Sequence, residues 1–227
     1  ASLFLLLPLS MVVWDGVSGI AKMPVQVWEA AVVSLCIAVV STCLMLLLAL
    51  PIAIAASGRA RWLEAVGLLG IAASPLVIGT GLFIIIHPIA NPFALALPVT
   101  ALVNAVMALP FALRILVGPV RDVGDNYGRL SATLGVTGVA WLRLVLLPRI
   151  RGPLGFACGL TAALSMGDLG VIALFADPET ATLPLQMYRL MGAYRIEAAS
   201  GAGLLLLLLS FGLFWLCDKG GRGRADS

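Results

Sequence analysis

Apolar residues run along this chain in long blocks that polar positions interrupt at only a few places. No Asp, Glu, Lys or Arg occurs from Ala30 to Gly58, from Ala65 to Leu113, from Gly152 to Gly167 or from Ala198 to Cys217. A helical bilayer crossing takes roughly 20 apolar residues. The block from Ala65 to Leu113 is long enough for two, with His87, Pro88, Asn91 and Pro92 supplying the turn between them. The pattern therefore predicts spans over 30–56, 64–86, 94–115, 152–176 and 198–217, with a shorter apolar stretch over 1–14. Residues 1–14 are too few for a full crossing and read as the end of a truncated first helix. The expectation is an all-α membrane protein of about six transmembrane helices.

Composition agrees. The chain of 227 residues is 61% hydrophobic and 11% charged, where a soluble domain carries about 25% charged residues. Basic residues decide the orientation. Arg59, Arg61, Arg114, Arg121, Arg129, Arg143, Arg149, Arg151, Lys219, Arg222 and Arg224 fall on one side of the predicted spans, and Lys22, Arg189 and Arg195 on the other. Positive charge accumulates on the cytoplasmic side, so the polar segment 116–151 and the C-terminus are expected there. The net charge of +3 then reports topology, and no nucleic-acid partner is implied. No basic leader with a small-residue cleavage site opens the chain. Cys36, Cys43, Cys158 and Cys217 all lie in apolar spans and are expected to be buried small hydrophobes.

Catalytic constellations are missing from the pattern. His87 is the one histidine, placed at an outer turn, and neither HExxH nor a Walker A sequence occurs. Asp15-Gly-Val-Ser-Gly faintly resembles a serine motif, but no base accompanies it and it is expected in an extracytoplasmic loop. A membrane enzyme is disfavoured on these grounds.

The polar segment carries the most specific pattern, Asp125 to Pro148. Asp125 is a candidate N-cap for a short helix from Asn126 to Leu134, with Tyr127, Leu130 and Leu134 on one apolar stripe and Arg129 off it. Gly135 ends that helix in a left-handed conformation. Thr137 is a candidate cap for Gly138 to Leu147, which Pro148 closes. Such a hairpin can seat in a groove of another protein or lie on lipid headgroups, and the pattern alone fits both.

Gly135, nine residues, Val145, one residue, then Leu147 and Pro148 resembles the EAA loop of binding-protein-dependent ABC importer permeases. Arg129, Leu130 and Ser131 stand where that family has Glu-Ala-Ala, and Val145 stands where it has Ile. The resemblance implies a type I ABC importer permease fold, with a cytoplasmic coupling helix between the fourth and fifth spans. It implies that Arg129, Leu130, Ser131 and Gly135 contact an ATPase, framed by Asp125, Tyr127, Leu134 and Pro148. It also implies partners: a cytoplasmic ABC ATPase dimer holding ATP and Mg, a second permease half and a periplasmic substrate-binding protein. No cofactor is expected on this chain. Residues 163–195, with the leucine-rich last span, are similar to the second half of the thiamine permeases in this family. That implies one transmembrane domain over 1–227, the second half of a fused permease in the bacterial inner membrane, moving thiamine or its phosphates. Ferric iron, sulfate or polyamine as cargo, and a secondary transporter, are the alternatives.

Asp168 is the one formal charge deep in a predicted span. It lies about 24 Å beyond Gly152 at 1.5 Å per residue, in the outer half of the membrane. Ionisable groups at such depth face a bundle interior or a watery cavity, and Gly167 and Gly170 allow a local break. Ser165, Gly167 and Asp168 are therefore the candidate substrate pathway, with helix capping the competing role for Asp168. Gly155 and Gly159 form a GxxxG pair suited to close helix packing. The outer segment from Asp177 to Glu197, with Tyr188, Arg189, Tyr194 and Arg195, is expected to be a surface helix or a docking surface for a binding protein.

Overall fold

Small residues determine where the helices meet. The computed structural model describes residues 2–58, 60, 62, 67, 70, 74–175 and 181–222. Its longer helices are α1 (Ser2–Ile20), α2 (Val25–Ser57), α3 (Pro75–Ile86) and α4 (Ala96–Thr133). A short helix α5 (Gly138–Trp141) runs through a π turn (Leu142–Leu146) into α6 (Leu147–Met166). Beyond it lie the single-turn α7 (Ile172–Phe175), then α8 (Leu183–Gly192) and α9 (Ile196–Arg222). Among the described residues, the segments Val25–Ser57, Phe93–Thr133 and Ile196–Arg222 are long and apolar enough to cross a bilayer. The described residues form an all-α membrane fold.

Along α2 the buried positions include Val27, Ala31, Ser34, Ala38, Ser41, Met45, Ala49, Ala53 and Ala56. They recur every three or four residues and so form one face. That face meets α4 and α6 in a core of Met45, Ala49, Ala53, Ala105, Ala112, Leu113, Leu116, Val120, Leu146 and Ile150. Large side chains such as Leu47, Phe211 and Leu216 point outward instead, as lipid-facing positions do. Helix α9 packs on α6 and on α1. A Cβ added at Gly155 would lie 2.6 Å from the Cys217 carbonyl oxygen, and one at Gly159 2.8 Å from that of Phe214. The GxxxG pair is thus a backbone-close seam with α9. A second seam joins Gly19 of α1 to Gly201 of α9.

Several boundaries differ from the sequence expectation. Helix α1 continues past residue 14 to Ile20, so Asp15-Gly-Val-Ser-Gly is helical rather than a loop, and the Ser18 hydroxyl donates to the Asp15 carbonyl. Helix α4 does not stop at 115. Its buried stripe carries on through Val117, Val120 and Val123 into the shared core, which keeps the helix intact where the charges begin. Asp125 therefore lies inside a 38-residue helix and caps nothing, and 126–134 is no separate helix. Pro148 does not close a segment either: it occupies the first turn of α6, where a missing N–H costs little. The span expected over 152–176 breaks at Met166. Cys36 and Cys43 are exposed, and Cys158 and Cys217 half-buried, because the small residues of α2, α6 and α9 rather than the thiols fill the contacts. Arg59, Arg61, Asp177, Arg224 and part of the expected span 64–86 lie outside the described residues.

Candidate functional sites: a hairpin and a cleft

The hairpin is shaped by one glycine. Helix α4 ends at Thr133, and Gly135 adopts φ +71°, a left-handed conformation that costs glycine little. The Val136 N–H then donates to the Ser131 carbonyl at 2.8 Å and the Gly135 N–H to the Ala132 carbonyl at 3.1 Å. These are the two bonds of a Schellman ending, so the elbow expected at Gly135 is present. Thr137 precedes α5 in an extended conformation, but its side chain makes no capping bond.

The expected contact residues sit around this elbow with different exposures. Leu130 and Leu134 are 58% and 69% exposed, an apolar pair that stays largely uncovered among the described residues. Arg129 is exposed beside them. Ser131 is buried, its hydroxyl donating to the Tyr127 carbonyl at 2.8 Å, so it serves the helix rather than presenting a surface. Tyr127 is partly covered by Arg149 of α6, whose guanidinium carbon lies 3.9 Å from the ring centroid. Asp125 is exposed one turn back along α4.

At its other end α6 borders a cleft of about 400 Å³ lined by Pro75, Asn104, Met107, Phe111, Ser165, Gly167 and Asp168. The three pathway residues expected from sequence are thus brought together. The helix stops at Met166, and Asp168 turns its Oδ1 to accept from the Gly170 N–H at 3.2 Å. Its other oxygen, Oδ2, is buried with no hydrogen-bond partner among the described residues. One carboxylate oxygen holds the break and the other is left over. Above it, Asn104 Nδ2 donates to Ser165 Oγ at 2.9 Å, and Ser165 Oγ lies 3.1 Å from Ser41 Oγ. This buried polar line ties α4, α6 and α2 together at the cleft wall. None of the described residues that line the cleft is basic. No group of three or more His, Cys, Asp or Glu among the described residues is placed to hold a metal.

No protein-family model matches the chain. It is 34% identical over 231 residues to the thiamine transport system permease protein ThiP of Salmonella typhimurium, an alignment covering 96% of this chain and 43% of that protein. It is 39% identical over 153 residues to the ThiP protein of Brucella abortus, covering 67% of this chain and 28% of that protein. The sulfate transport system permease protein CysW of Synechocystis is 30% identical over 118 residues, covering 51% of this chain and 43% of that protein. The chain belongs to the ABC importer permeases. This permease chain spans less than half the length of the thiamine relatives it matches. It is a multi-pass integral membrane protein, and the names of its relatives are those of transport proteins rather than enzymes.

Asn104 and Ser41 escaped the sequence reading of this permease. The available signal was the one amide inside the expected span 94–115, since polar groups at that depth seldom lack a role. A survey of charges passes over it. His87 lies where expected, exposed at the end of α3. The outer segment does contain a helix, α8, with Leu183, Leu185 and Leu190 buried and Tyr188 exposed, and Tyr194 is exposed just beyond it.

Proposed function

We propose that the chain is the second membrane half of a fused importer permease that carries thiamine or its phosphates across the bacterial inner membrane, its C-terminus cytoplasmic. The observation that carries this reading is the 34% identity to a thiamine transport permease along 96% of the chain. The cleft supports it: thiamine is a cation, and among the described residues Asp168 offers a buried oxygen with no partner and no basic side chain lines the wall. Ser165, Gly167 and Asp168 line the pathway, with Asn104 beside them.

A cytoplasmic ABC ATPase dimer drives the cycle, holding the ATP and Mg that this chain does not bind. It grips the hairpin through Leu130, Leu134 and Arg129 around the Gly135 elbow, while Asp125, Tyr127, Ser131 and Pro148 shape the support behind. A periplasmic binding protein delivers the cargo at the opposite end. Closure of the ATPase dimer moves the hairpin and switches the pore between inward- and outward-facing forms by alternating access.

The test is uptake of labelled thiamine by cells deleted for the transporter and complemented with it. Uptake that thiamine competes and sulfate does not is the expected result. Competition by sulfate instead would favour the second reading, for which the 30% identity to a sulfate permease is the ground. Uptake that persists without any ATPase subunit would contradict both.

A further inference from the structure

We propose that Arg149 is a positioning residue that straps the hairpin to α6, so that displacement of the hairpin tip is delivered to the cleft at the far end of that helix. This rests on the proposed function, and it assigns the link between the two sites to one side-chain contact.

The backbone around Arg149 is weakened from both sides. The π turn Leu142–Leu146 lies just before α6, and π segments break the regular ladder and concentrate at functional positions. Pro153 inside α6 supplies no N–H, which removes a rung of the helical ladder. A push on the tip would dissipate in this stretch if only backbone bonds carried it. Arg149 spans the gap. Its guanidinium stacks on the Tyr127 ring of α4, 3.9 Å from the centroid, while Nη1 donates to the Val145 carbonyl at 3.2 Å. No carboxylate among the described residues pairs with it. The contact is therefore with a ring and a carbonyl, a task for a planar fork that lysine does not replicate.

Beyond Pro153 the helix is held as a rod. Gly155 and Gly159 lock its flank on α9, and Ser165 near its end is held by Asn104, two residues from Gly167 and three from Asp168. Movement imposed at Arg149 thus has a stiff path to the cleft. Tyr127, Arg149 and Ser165 form the line from hairpin to cargo.

The experiment measures ATP hydrolysed per thiamine imported by the intact transporter in proteoliposomes, for Tyr127→Phe, Tyr127→Leu, Arg149→Lys, Arg149→Ala and the Tyr127→Leu/Arg149→Ala double variant. Tyr127→Phe keeps the ring and should raise the ratio less than Tyr127→Leu does. Tyr127→Leu and Arg149→Ala should each raise the ratio about two- to fivefold, the factor that a surface cation–π contact is worth, and the double variant no further. Arg149→Lys should fall between. An unchanged ratio in Tyr127→Leu and Arg149→Ala, with the ATPase still co-purifying, would overturn the strap alone. A parent transporter that binds no ATPase would overturn the proposed function with it.

Discussion

Asn104 in α4 donates its amide to the Ser165 hydroxyl in α6 over 2.9 Å, and the same hydroxyl lies 3.1 Å from Ser41 in α2. Three helices are thus joined by one buried polar line beside the cleft. Interhelical side-chain bonds in membranes are worth about 0.6 kcal/mol on average and up to about 1.7. Asn104→Ala should lower stability by about 1 kcal/mol, while Ser41→Ala should cost less because the Asn104–Ser165 bond survives. Thermal unfolding in detergent measures both. Equal losses would show that the Ser41 end carries as much as the Asn104 end.

The α6–α9 seam predicts a larger effect. With carbonyl oxygens 2.6 and 2.8 Å from where a Cβ would stand at Gly155 and Gly159, even alanine forces the helices apart. Overpacking costs about 1–3 kcal/mol. Gly155→Leu should reach or exceed that range in a detergent melt, whereas leucine at Gly212, where nothing lies within 4 Å of an added Cβ, should be tolerated.

Lys22 and Glu197 pair between the α1–α2 turn and the start of α9, with side chains 58% and 67% exposed. Exposed pairs contribute little after screening and loss of side-chain freedom. Lys22→Ala should change stability by less than about 0.5 kcal/mol, and melts at low and high salt should nearly coincide.

Asp168→Asn separates the two roles of that residue. The Oδ1 bond to Gly170 is open to an amide as well, so the break in the helix should survive while the negative charge goes. Thiamine uptake should fall at least tenfold with unchanged protein in the membrane. Normal uptake would make Asp168 a capping residue and nothing more.

Much of this was legible in the residues themselves. Charge-free blocks located the helices because the bilayer sets their length, and a glycine ending a helical stripe announced the elbow at Gly135. Asp168, with Ser165 and Gly167 beside it, stood out because a charge in a span is costly. The misreadings arise where the wider helix context overrode a local signal. Asp125 looks like a cap, but Val117, Val120 and Val123 keep α4 packed on its neighbours up to that point. Pro148 looks like a stop, yet the preceding π turn makes it the beginning of α6. Asn104 and the Arg149–Tyr127 contact join residues 61 and 22 positions apart, and no local pattern encodes such pairs.

The central proposal, that a glycine elbow couples this chain to an ATPase, is tested most directly at Gly135. Nothing lies within 4 Å of a Cβ added there, so within this chain substitutions act through the backbone. Asparagine tolerates the left-handed conformation, whereas proline is locked near φ −65° and lacks the N–H that bonds Ala132. The decisive measurement is ATP-driven thiamine uptake for Gly135→Asn and Gly135→Pro at matched protein levels in the membrane. The account predicts near-parental uptake for Gly135→Asn, and loss of both uptake and ATPase co-purification for Gly135→Pro. Full uptake by Gly135→Pro would contradict it.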